Sequence, residues 1–139
     1  MNRDDFQKLA DTRLEDAKAL LKAGRFDAAY YLAGYAVECA LKACIAKKTR
    51  EHDFPRKDAQ SVYIHDLERL LSASGIRELF ETESAHDPRL EEYWEVVKDW
   101  KEDRRYEATD DGARARAEAL VEAIGDKDHG VLQCISKYW

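Results

Sequence analysis

Gly24-Arg25-Phe26-Asp27-Ala28-Ala29-Tyr30-Tyr31-Leu32-Ala33-Gly34-Tyr35-Ala36-Val37-Glu38-Cys39-Ala40-Leu41-Lys42-Ala43 decides the fold of this chain. From Phe26 it reads as one helix that is apolar almost all the way round. At 100° per residue, Tyr30, Val37, Leu41 and Cys44 form one stripe, and Leu32, Ala36, Cys39 and Ala43 form a second. Ala29, Ala33 and Ala40 make a third stripe, small enough to let another helix approach closely. The fourth is mixed: Tyr31, Tyr35, Glu38 and Lys42. A helix with no plain solvent face must be buried between several other elements, and the polar groups it carries inward need partners or ligands. The stretch is therefore both the expected core and the first place to look for a site.

The 139 residues fit a single domain, 1–139, long enough to bury a core. Only 2 Pro and 6 Gly, against 45% hydrophobic and 37% charged residues, argue for an all-α protein. The net charge of −6 gives no global attraction for nucleic acid, so any RNA contact must be local. Cys39, Cys44 and Cys134 have no metal-type spacing and read as small buried hydrophobes of a reducing compartment. Met1 to Asp5 carries acids with no apolar run behind it, and the longest apolar stretch contains Asp27, Glu38 and Lys42. Neither a signal peptide nor a membrane span is expected, and the expected location is cytoplasmic.

Around the central helix, periodicity predicts helix one from Asp4 to Lys22, with Phe6, Leu9, Ala10, Ala17, Leu20 and Leu21 inward and Gly24 ending it. The central helix should run from Phe26 to Lys48, and the Pro55-containing stretch from Thr49 to Ser61 should form the longest loop. A short helix is expected from His65 to Ser72, with another turn or two from Ile76 to Glu83. Asp87-Pro88 is an N-cap followed by Pro at the first helical position, opening a helix to Asp103. Thr109-Asp110 should cap the last long helix, with Ala113, Ala117, Leu120, Val121 and Ile124 inward and a break at Gly125 and Gly130. The simplest architecture is an antiparallel up-and-down bundle of four to five helices.

The central segment resembles the signature helix of the HEPN family, which follows a Gly-Arg-aromatic-Asp lead with an Ala-Gly-Tyr-Ala-Val-Glu-x-Ala-Leu-Lys-Ala type helix. Here the lead is Gly24 to Ala29 and the helix Ala33 to Ala43. His65-Asp66-Leu67, the run Trp100-x-x-x-Arg104-Arg105-Tyr106, and the tail Gly130-Val131-Leu132 agree in order. The resemblance implies a helical bundle, a homodimer, and partnership with a small nucleotidyltransferase. It also implies nucleotide binding, by likeness to aminoglycoside nucleotidyltransferase substrate domains. A subset of the family are metal-independent RNases, often toxins, with Arg followed after four to six residues by His. Here Arg50 lies too close to His52, and Arg56, Arg77 and Arg116 lie too far from the next His. That chemistry needs a proton-transfer group and a cation on one face. Without the pair, RNase activity by that route is not expected.

Candidate site residues carry two readings each. Glu38 and Lys42 stand four apart in the favourable order for a helical ion pair, so a structural pair competes with a site in which Tyr31 and Tyr35 stack a base. Trp100, Arg104, Arg105 and Tyr106 read as a helix C-terminus favoured by the dipole, or as a holder of phosphate and base. His65 is an N-terminal cap, or a partner for the Glu38 stripe, and a catalytic group only if a second group joins it. His52, His86 and His129 read as solvated. No zinc spacing and no Gly-rich phosphate loop is present, so neither metal nor cofactor is expected. Three functions follow in order: a non-catalytic nucleotide- or substrate-binding partner of a nucleotidyltransferase in a toxin–antitoxin-type pair, an RNase with an atypical residue set, and a purely structural dimer.

Overall fold

Helix α1 (Arg3–Lys22) starts at a reciprocal cap: the Asn2 side chain accepts from the Asp5 amide at 2.9 Å, and the Asp5 carboxylate accepts from the Asn2 amide at 3.0 Å. The computed structural model describes residues 1–52, 65–101 and 112–139, with backbone alone at 50–52. At the far end of α1, Gly24 takes φ +79°, and the Arg25 amide reaches back to the Leu20 carbonyl. This left-handed turn needs glycine, and it reverses the chain into α2 (Phe26–His52). Phe6, Ala10, Leu14 and Ala17 are buried on α1. Leu14 extends the expected face, while Leu9, Leu20 and Leu21 are only partly buried.

Helix α2 lies at the centre, touching α1, α3, α6 and α7. Ala29, Ala33, Ala36, Val37, Ala40, Leu41 and Ala43 lose all contact with water. Its short side chains let neighbouring helices come close, which is how one helix can be covered on several sides. It also runs past the expected end at Lys48 to His52, into what reads from sequence as loop. The rest of that expected loop lies outside the described residues.

Helix α3 (Leu67–Ser74) is capped by Asp66, whose carboxylate accepts from the Arg69 amide at 3.1 Å. His65 stands before this cap and is not the cap itself. Gly75, at φ +84°, ends α3, and α4 (Arg77–His86) follows with Phe80 buried. Ten residues of helix replace the turn or two expected there, because Ile76 and Phe80 both find the core. Helix α5 (Pro88–Val97) opens as the sequence predicts, with Asp87 accepting from the Arg89 and Leu90 amides at 3.2 Å. It stops at Val97 rather than Asp103. The chain turns there, the Trp100 amide bonding to the Val97 carbonyl, and the Trp100 ring enters the core at 1% exposure.

Helix α6 (Ala113–Gly125) buries the five residues expected of it. Its N-terminal neighbour among the described residues is Gly112, and the expected cap, Thr109-Asp110, lies outside them. Helix α7 (Val131–Ser136) resumes after the break. A Cβ at Gly130 would overlap the Asp126 carbonyl, so only glycine fits that corner. The described residues thus form an all-α bundle of seven helices without strands. Contacts of α1 with α2 and α6, of α2 with α6, and of α6 with α5 give a four-helix frame, and α3, α4 and α7 are short pieces closing it. Among the described residues no helix is long and apolar enough to cross a membrane.

Candidate functional site

The mixed stripe of α2 carries the chemistry. Glu38 is 1% exposed and Lys42 7% exposed, a depth at which unpaired charges would be costly. The Lys42 Nζ donates to Glu38 Oε2 at 2.8 Å, so the spacing of four residues does form the ion pair. His65 Nδ1 sits 3.1 Å from each Glu38 oxygen. One buried carboxylate thus serves a lysine from its own helix and a histidine from the segment before α3. The His65 side chain is 47% exposed, so this network runs from the core to the surface.

One turn before Glu38, the rings of Tyr31 and Tyr35 stack with centroids 6.1 Å apart and planes 6° from parallel. Burial pushes the Tyr35 phenol up to about 12, with Cys39, Glu38 and Tyr31 adding to the effect. At neutral pH it therefore keeps its proton. Cys39, hydrogen-bonded to Tyr35, is pushed up to about 11, chiefly by burial. That keeps it a thiol, in line with its reading as a buried hydrophobe and not a nucleophile. Cys44 is raised to about 12 by burial as well.

Trp100 closes this end. Its ring lies 6.1 Å from Tyr31, tilted by 32°, and directly over the backbone of Gly34. Any Cβ at position 34 would overlap the indole. Glycine inside a helix costs roughly 1 kcal/mol against alanine, so its presence among so many alanines was a readable sign of a close approach. Among the described residues the buried Trp100 Nε1 finds no hydrogen-bond acceptor, a cost of about 1–3 kcal/mol that the packing must offset. Trp100 is thus a floor beneath Tyr31 and offers no face to solvent; it follows α5 and is not part of it. Arg104, Arg105 and Tyr106, expected beside it, lie outside the described residues.

The structure brings together Tyr31, Tyr35, Glu38, Lys42, His65 and Trp100. Sequence reasoning missed Gly34 as the seat of Trp100 and Cys39 as the partner of Tyr35. It also missed a second histidine contact. His129, read as solvated, has Nδ1 2.9 Å from Asp87 Oδ2. His86 lies with Nδ1 2.9 Å from the Thr82 carbonyl. No group of three or more metal-ligating side chains occurs among the described residues. The stripe's chemistry is therefore a carboxylate with two nitrogen partners beside stacked phenols, suited to hydrogen bonding and stacking or to orienting the His65 ring.

No curated protein and no solved structure matches the chain. A family match, to the HEPN domain, covers residues 5–126, from α1 through α6, and includes the whole of the Tyr31–His65 cluster. The chain belongs to the HEPN domain family.

Proposed function

We propose that this HEPN-domain protein is a non-catalytic binding module, a homodimer that offers a nucleotide or related substrate to a small nucleotidyltransferase, in a pair of the toxin–antitoxin type. The observation that carries the reading is the Tyr31–Tyr35 stack beside the Glu38–Lys42–His65 network. Aromatic faces stack bases, and a fixed carboxylate and imidazole can read a base edge. Arg104 and Arg105 carry the sequence-based expectation of phosphate contacts. A ligand that prefers the folded state must raise its stability. A panel of nucleoside mono-, di- and triphosphates should therefore raise the melting temperature of the wild type, and Tyr31→Ala or Arg104→Ala/Arg105→Ala should abolish the rise. No shift with any nucleotide would leave the purely structural dimer. Purification from the native host should recover a nucleotidyltransferase, and sedimentation at tens of micromolar, roughly the usual assay range, should show a dimer.

The Glu38–His65 contact favours a second reading. A carboxylate on one imidazole nitrogen is how enzymes orient a histidine base, and His65 is partly exposed. The protein alone should nevertheless leave RNA intact, with or without magnesium, because it lacks the Arg–His spacing and is acidic overall. Cleavage that survives rigorous purification and is lost in His65→Ala would replace the binding reading with an atypical RNase.

A further inference from the structure

A cleft of ≈ 240 Å³ opens on a different part of the molecule, between the middle of α1, the end of α6 and α7. Leu14, Ile124 and Leu132, all buried, line it, together with Asp11 and the half-buried Trp139. No Lys, Arg or His does. Asp126 is there too, but its oxygens are committed: Tyr93 donates to Oδ2, and the Asp128 and His129 amides donate to Oδ1. Asp11 differs. Among the described residues its carboxylate accepts no hydrogen bond and meets no cation. Partial burial, and then the like charge of Glu15 one turn on, hold its carboxyl above the ordinary 3.8. The Lys18 stem passes near Gly125, but its ammonium pairs with Glu15 at 3.3 Å. Among the described residues no ring or cation packs on the Trp139 indole.

We propose that this cleft binds a small organic ammonium ion with an aromatic body, independently of the Tyr31–His65 cluster. The ammonium supplies the counter-ion that Asp11 lacks, in a charge-assisted hydrogen bond. The aromatic ring stacks on Trp139 and covers the apolar floor at Leu14 and Leu132. An anion would meet Asp11 and Asp126 with no cation on the walls, so the electrostatics select the sign of the ligand. The volume falls below the roughly 300–1,000 Å³ of drug-sized sites, which limits the occupant to about one ring and its amine.

Benzylamine, a cation at neutral pH, is a suitable probe, followed by chemical shifts of the full-length ¹⁵N-labelled protein at low salt. Saturable shifts are expected at the Leu14, Gly125 and Leu132 amides and at the Trp139 indole. Benzyl alcohol has nearly the same shape without the charge and should bind at least about tenfold more weakly. Asp11→Asn should weaken benzylamine binding about tenfold, and Trp139→Leu about fivefold. Glu118→Gln, whose carboxylate pairs with Arg114 on α6, should leave it unchanged. The variant spectra also report whether each variant is folded, and Asp11→Asn breaks no described hydrogen bond or ion pair. Nα-acetyllysine methylamide, which offers the ammonium without a ring, should bind more weakly than benzylamine; equal or tighter binding would make a lysine side chain of another protein the occupant and overturn the proposal. Shifts that fail to saturate, that are equal for benzyl alcohol, that persist unweakened in Asp11→Asn, that fall equally in Glu118→Gln, or that appear instead around Tyr35 and Glu38 would each overturn it as well.

Discussion

His65 and His129 each bring Nδ1 to about 3 Å from a carboxylate, Glu38 in one case and Asp87 in the other. The two contacts nonetheless have different physics. Glu38 is buried and also holds Lys42, so removing either partner would leave the other's polar group buried without a counterpart. Asp87 and His129 sit at the surface, where water screens them, and Asp87 has a second task as the cap of α5. Burial, not distance, determines which contact the fold depends on.

The contrast can be broken most severely at the helix that carries the buried pair. Val37→Asp or Leu41→Asp would place an unpartnered charge at the centre of α2, and neither variant should fold. A soluble, helical variant with a cooperative melt would contradict the central placement. Next, Glu38→Ala should cost about 3–5 kcal/mol by stranding Lys42, and Glu38→Met/Lys42→Met should recover most of it. Denaturant titration of the three proteins measures both parts. If the single and double variants lose equal stability, the pair is not what stabilises this region.

Gly34→Ala should cost about 1–3 kcal/mol through collision with Trp100. The loss should be strongly non-additive with Trp100→Ala, since removing the ring removes the collision. Additive losses would mean that the close approach does not exist in solution.

The smallest effect belongs to the exposed pair and shows as a pH dependence. His129 is raised above its ordinary 6.5, first by its bond to Asp87 and further by the nearby Asp126 and Asp128. Its contribution is thus complete below 6.5 and lost as pH rises through the raised value. Asp87 is lowered below its ordinary 3.8, chiefly by His129, and its contribution disappears as pH falls through the lowered value. The penalty of His129→Gln should therefore be greatest between about pH 4 and 6.5 and should shrink by pH 9. A penalty that is constant over that range would remove the ion pair from the account.

The comparison also shows where sequence is informative. The Glu38–Lys42 pair was legible because both residues share one helix face, and a 3.6-residue period fixes their separation. Between the two readings of His65, the partner role prevailed because Asp66, one residue on, took the cap. The His129–Asp87 contact joins residues with no local relation, so no period could reveal it. The early end of α5 was hidden for a related reason: Trp100 fits the helical pattern of Leu90, Tyr93 and Val97, but Gly34, far away in sequence, offers it a better seat.

The tight reversal at Gly24 has a kinetic consequence. Residues 23–25 join two long helices that are neighbours in both sequence and space, so bringing them together requires little loop closure. The α1–α2 hairpin should therefore be structured in the folding transition state, while the contacts of α6 and α7 with α2 form later. Substitutions such as Leu14→Ala should slow folding, whereas Ile135→Ala should mainly hasten unfolding. Synthesis from the N-terminus completes this hairpin first, so the growing chain would already have covered one side of its most apolar helix before the remaining partners of that helix are made.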